Sequence, residues 1–239
     1  MKKIIPLFLL ILLISSCDQA TLNRALETIL QDGSSLTPEQ TSAGLKEALN
    51  IGIGKGADLL SQKDGYFKSA YKILLPPEAR KVADKLNSVP GFSQVEDVIL
   101  EKINRGAEDA ATRAKPIFVS AIRQMTFTDA KNILFGSGDA ATRYLEQKTM
   151  NQLYQEFNPV IVESLDKFQA RKYWSDAVST YNKIPFVEKA NPDLDDYVTR
   201  EALKGLFAMV EKEERNIRSN IAARTTELLR RVFAAQDKR

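Results

Sequence analysis

From Thr37 onward the apolar residues recur at intervals of three and four, and no stretch shows a convincing alternation of two. That period places one stripe of an α-helix toward a core, so helices must carry the fold. The longest run starts at Ser93-Gln94-Val95-Glu96, a capping-box sequence. It continues through Ile99, Ile103, Ala107, Ala110, Ala114, Phe118, Ala121 and Met125. Pro116 falls inside it and should kink it, because proline removes one backbone donor and crowds the preceding turn. The expected fold is all-α: a single multi-helix domain, orthogonal or bundle-like, with one long Pro-kinked helix.

Thr37-Pro38-Glu39-Gln40 is a second helix start, with Thr as cap and Pro at the first helical position. Leu45, Leu49 and Ile53 follow at spacing four, beside Gly44, Ala48, Gly52 and Gly56. Each Gly costs a helix about 1 kcal/mol relative to Ala, so close approach of something should offset it. Two occupants fit these seven residues: another helix crossing tightly, or an apolar or amphiphilic ligand in a groove. Pro77 opens a short helix, and Thr128 and Asp129 open one that ends near Gly136. Asp139 is placed to cap a helix running to Pro159, with more helix from Val160. Further segments run from Tyr173 to Asn182, from Asp195 through Val210, and from Ala222 to Ala235. Asp109-Ala110-Ala111-Thr112-Arg113 recurs as Asp139-Ala140-Ala141-Thr142-Arg143, but two copies do not make a repeat array.

The first residues set the compartment. Lys2 and Lys3 precede an apolar run from Ile4 to Ile14, broken by Pro6 and followed by Ser15-Ser16-Cys17. The run is too short to span a bilayer, which takes about 20 apolar residues, and reads as a secretory signal. Small residues directly before the chain's one Cys resemble the lipobox of bacterial lipoproteins. The resemblance implies cleavage before Cys17, lipidation of its sulfur and acylation of the new amino terminus. Several acyl chains anchor firmly where one is marginal. Residues 1–16 are thus expected to be a lipoprotein signal peptide, 17–36 the lipidated N-terminus and stalk, and 37–239 the helical domain. The expected location is the envelope, lipid-anchored on the periplasmic side. Asp18 resembles an inner-membrane retention signal.

Composition narrows the chemistry. The chain has no His and one Cys, which removes Ser-His-Asp and Cys-His catalysis, His-ligated metals and Cys-rich zinc sites. Losing Lys2 and Lys3 with the leader lowers the formal charge from +3 to +1. A near-neutral chain makes no case for nucleic acid. Asn191, Asp193 and Asp195 imitate a calcium loop, but Asp196 stands where Gly should turn and Ala202 where the bidentate Glu should be. Gly52-Ile53-Gly54-Lys55-Gly56 follows no strand and lacks the Lys-Ser or Lys-Thr ending of a phosphate loop. No metal, cofactor or catalytic residue is expected. Arg105 and Glu108, with Glu214, Arg218 and Arg224, are spaced for ion pairs, and a buried network between their two helices is the sharper form of that reading. Tyr144, Tyr154, Tyr173, Trp174 and Tyr181 crowd the second half at spacings expected of core.

Several stretches together resemble one family. They are Gly44-Leu45-Lys46-Glu47-Ala48-Leu49, Asp64-Gly65-Tyr66-Phe67, Asn104-Arg105-Gly106-Ala107-Glu108 and Ala114-Lys115-Pro116-Ile117-Phe118. Met125-Thr126-Phe127-Thr128-Asp129-Ala130, Asp139-Ala140-Ala141-Thr142, Tyr197-Val198-Thr199, Gly205-Leu206-Phe207 and Arg224-Thr225-Thr226-Glu227-Leu228-Leu229 continue the match. Over Leu45 to Phe233 the chain resembles an all-helical bacterial envelope lipoprotein family described as a domain of unknown function. That family favours Ala where Gly106 stands and Pro where Ile221 stands. It implies a fold and no activity. The expected function is a non-enzymatic binding or structural role in the envelope, toward an amphiphilic ligand between helices or an envelope protein on an exposed helix face. The rival is a carboxylate-dependent, peptidoglycan-cleaving enzyme resembling lytic transglycosylases, built on Glu163-Ser164.

Overall fold

Pro38 is the first residue of the first helix among the described residues, as the Thr-Pro-Glu-Gln sequence predicts. The structure, a computed structural model, describes residues 36–237 apart from 87, 88, 90–93, 168 and 192. Pro38–Arg239 forms one compact unit. Its helices are α1 (Pro38–Leu60), α2 (Pro77–Leu86), α3 (Val95–Ala111), α4 (Ala114–Gln124) and α5 (Phe127–Leu134). They continue with α6 (Ala140–Lys167), α7 (Ala170–Tyr181), α8 (Asp195–Ser219) and α9 (Glu227–Asp237), the last two joined through a 3-10 turn at Ile221–Ala223. Among the described residues there is no strand.

α8 is the hub. Val198, Ala202, Leu206 and Val210 form its inward stripe at spacing four and are at most 2% exposed. α8 packs on α6, α1 and α3, and α6 in turn packs on α3 and α4. Tyr66, Phe118 and Phe157 are the largest side chains wholly enclosed between these layers. The Phe118 and Phe207 rings meet edge to face at 5.7 Å.

The prolines sit differently from expectation. The run from Ser93 to Met125 divides at Thr112 and Arg113 into α3 and α4. There the Thr112 and Arg113 amides donate three residues back, to Asp109 and Ala110. Pro116 is consequently the third residue of α4, in the first turn, where a helix has no partner for the missing N–H. The proline inside a long helix is Pro159, within the 28-residue α6 that it was expected to end. Pro159 and Gln155, whose carbonyl loses its donor, are both exposed, on the solvent side of the helix. Helix α5 starts at Phe127, one residue before Thr128, with Thr126 as its cap. Thr126 accepts from the Asp129 amide at 3.1 Å, and the Asp129 carboxylate accepts from the Thr126 amide at 2.9 Å. Ser93, the expected cap of α3, lies outside the described residues; the helix begins at Val95 with Gln94 at its N-cap.

The small-residue stripe of α1 is a helix crossing, and the ligand groove expected there is filled. A Cβ on Gly44 would stand 2.6 Å from Val232 Cγ2 of α9. One on Gly52 would meet Ile217 at 3.3 Å, and one on Gly56 would meet Met209 at 2.9 Å, both from α8. Leu45, Ala48, Leu49 and Ile53 are at most 5% exposed. The burial of these faces offsets the helix cost of the glycines.

Candidate functional site

The charged residues singled out in the sequence form two separate clusters, one on α3 and one on the end of α8 and the turn that follows it. On α3, Glu108 is 5% exposed. Its Oε1 accepts from the Tyr66 and Phe67 amides, both at 3.1 Å, and its Oε2 accepts from Arg105 Nη1 at 2.8 Å. Arg105 Nη2 donates to Asp64 Oδ1 at 2.8 Å. That bond holds the Asp64 carboxyl below the usual carboxylate range. The clamp secures a tight turn: Asp64 has φ 70°, and a Cβ on Gly65 would lie 2.5 Å from the Leu59 and Leu60 carbonyl oxygens. The turn delivers Tyr66 to the core, where its hydroxyl donates to the Ala202 carbonyl at 2.7 Å. Burial, reinforced by the Glu108 charge, pushes that phenol far above its ordinary range. One turn earlier on α3, Asn104 accepts from the Ile73 amide at 2.8 Å and donates to the Ile73 and Leu100 carbonyls.

On α8, Glu214 Oε1 accepts from the Ala141 amide at 3.0 Å. Its Oε2 accepts from the Thr142 amide and hydroxyl, both at 2.9 Å. Arg218 donates to Glu214 Oε1 and to the Leu134 and Ile133 carbonyls. Arg224 donates to the Ile217 and Arg218 carbonyls and pairs with Asp237 at 2.5 Å. The amides at the start of α6 therefore go to Glu214; Asp139, expected to cap them, accepts instead from Ser137 Oγ at 2.6 Å. Each oxygen of Glu108 and Glu214 already accepts hydrogen bonds, which suits them to holding backbone in place rather than moving protons.

The other candidates scatter. Glu163 is exposed on α6, while Ser164 beside it is buried and donates to Asp109 at 2.5 Å. Asn191 and Asp193 accept from the Asp193 and Asp195 amides, turning the chain into α8. Among the described residues no three acids or cysteines are placed to hold a metal ion. None of the described helices is long and apolar enough to cross a membrane. Cys17 and Asp18 lie outside the described residues.

Sequence reasoning missed a pocket of about 340 Å³ between α2, α7, the start of α8 and the segment before it. Ala79, Trp174, Tyr181, Leu194 and Tyr197 make its apolar wall. Lys81, Glu188, Lys189 and Asp193 ring the mouth, with Lys81 and Glu188 3.8 Å apart. Trp174 and Tyr181, 2% and 6% exposed, are as buried as expected, yet they face a cavity. Trp174 Nε1 is spent on the Asn191 carbonyl at 3.1 Å. Tyr197 donates to the Leu74 carbonyl at 2.8 Å, fixing the opposite wall. Asn182 ties the segment down by accepting from the Ala190 amide at 3.0 Å and donating to the Ala190 carbonyl at 3.2 Å. The only available signal was the seven-residue spacing of Trp174 and Tyr181, which puts both on one face of α7.

No curated protein and no solved structure matches the chain. One family model does, described as a protein of unknown function (DUF4197), over residues 35–234. That span takes in all nine α-helices from Pro38 onward except the last residues of α9, and the chain belongs to the DUF4197 family.

Proposed function

We propose that this chain is an envelope lipoprotein, held on the periplasmic side of a membrane by lipidated Cys17, whose helical domain binds a small amphiphile. The observation that carries the binding role is the build of the pocket: aromatic and aliphatic walls around Trp174 and Tyr181, and lysines and acids at the mouth. Its volume falls in the range of small-molecule sites. A ligand's apolar part would lie against Trp174 and its polar head at Lys81 and Lys189. The role is one of binding rather than catalysis, consistent with buried carboxylates saturated by backbone amides and guanidinium groups.

Trp174 is the chain's single tryptophan, so its fluorescence reports on the pocket directly. Titrating the full-length protein with laurate below its micelle concentration should shift that emission to saturation at one site. Tyr181→Ala should abolish the response, and Lys81→Glu should weaken it. A linear, non-saturating response in the wild type would overturn the pocket assignment. The anchor is tested separately, by mass spectrometry of the N-terminal peptide from membrane-extracted protein. A Cys17 carrying no acyl group would refute it.

A further inference from the structure

The segment between α7 and α8 turns out an apolar tip: Ile184, Pro185, Phe186 and Val187, bracketed by Lys183 and Lys189. Phe186 is 107% exposed, more than any other large apolar residue described. Its φ is 64°, a left-handed conformation that strains a bulky residue. The base of the tip is fixed, since the Lys183 and Ile184 amides continue the turns of α7 and Asn182 bonds across to Ala190. Lys189 donates to the Asn182 carbonyl. A preformed, strained loop thus holds an aromatic ring in solvent two residues before Glu188 and three before Lys189, which line the pocket.

We infer that this tip inserts into the interfacial layer of a phospholipid membrane, setting the pocket mouth against the bilayer. The inference deepens the reading above, because the tether supplies the membrane. Area argues against a protein occupant. One aromatic ring buries about 200 Å², whereas a stable protein interface takes about 800 Å² per partner. A bilayer needs no matching surface; it accepts a few apolar side chains while flanking lysines stay at the headgroups. Lys81, Lys183 and Lys189 outnumber Glu188 and Asp193 around the tip and the mouth, which suits anionic lipid. The tether does not choose the face. Residues 18–35 reach at most about 60 Å when extended, well beyond the ~16 Å radius of gyration of a 200-residue domain. Surface chemistry chooses it.

The test is depth quenching with full-length protein reconstituted into vesicles of roughly 3:1 phosphatidylcholine to phosphatidylglycerol, with or without lipids brominated on the acyl chain. Phe186→Trp is compared with Ile221→Trp. Ile221 is exposed just past the other end of α8, about 33 Å along the helix from Tyr197. Wild-type Trp174 gives the baseline. Brominated lipid should quench the added Phe186→Trp emission at least about twofold and leave the Ile221→Trp emission nearly unchanged. Val187→Trp repeats the measurement should tryptophan at 186 perturb folding. Replacing Lys183 and Lys189 by Gln should reduce quenching in these vesicles and not in pure phosphatidylcholine. No quenching at 186 and 187, equal quenching at 221, or a blue-shifted but unquenched Phe186→Trp (the mark of a protein partner) would each overturn the inference. Quenching with an unacylated Cys17 would remove the tether and leave the loop contact standing. An acylated Cys17 with an unquenched tip would do the reverse.

Discussion

Glu214 and Arg218, one turn apart on α8, close two ends of neighbouring helices at once. Glu214 takes the first amides of α6, and Arg218 gives to the last carbonyls of α5 while pairing with Glu214 at 2.9 Å. Removing one partner leaves the other charge buried, a loss of about 3–5 kcal/mol. Glu214→Ala should therefore lower the melting temperature by about 10 °C. The double change Glu214→Leu with Arg218→Met should cost less than the sum of the single changes, as measured by urea unfolding.

The glycines divide by what a methyl group would meet. Gly44→Ala and Gly56→Ala drive a Cβ to 2.6 Å from Val232 and 2.9 Å from Met209. Both should destabilise, by about 1–3 kcal/mol. Gly106→Ala meets Ser164 and Leu165 at 3.5 and 3.6 Å, and Gly54→Ala meets the flexible end of Lys115 at 3.5 Å. These are ordinary contacts, so helix propensity decides and each should stabilise by up to about 1 kcal/mol. Thermal melts of the four variants check both signs.

Acid should weaken the fold through Asp64 and Asp237, whose carboxyls are held low by hydrogen bonds from Arg105 and Arg224. A folded-state value below the unfolded one contributes stability that is present above the unfolded value and is lost as pH falls through the folded one. Asp195 runs the other way. Burial raises it, opposed by Arg171 at 3.4 Å. Its charged form costs stability above the folded value, and that cost is gone below the unfolded one. Asp195→Asn should thus exceed the wild type in melting temperature at neutral pH and converge with it as acid is added.

Glu163 stands exposed on α6, away from the cavity walls. Glu163→Gln should leave muropeptide release from cells unchanged. A drop in release with the fold intact would favour the glycan-cleaving reading.

Helical period revealed most of the fold because an inward stripe is a local property: Val198, Ala202 and Leu206 announce their face by spacing alone. Helix ends were harder, since their partners come from afar. Asp109–Arg113 and Asp139–Arg143 have the same five residues, yet one set closes α3 and the other opens α6. The difference lies in Ser164, which engages Asp109, and in Glu214, which takes the Ala141 and Thr142 amides. The pocket was illegible for the same reason. Ala79, Trp174 and Tyr197 meet only after three helices have been placed, and an aromatic facing a cavity has the same spacing as one facing a core.

The first helix among the described residues has its glycine-crossing partners among the last. α1 presents Gly52 and Gly56 to α8 and Gly44 to α9, some 150 to 190 residues later in the chain. A ribosome must release nearly the whole polypeptide before this crossing closes, and short helices alone are marginal in water. A chain that stopped before Asp195 would therefore leave the glycine face of α1 without the surface that covers it.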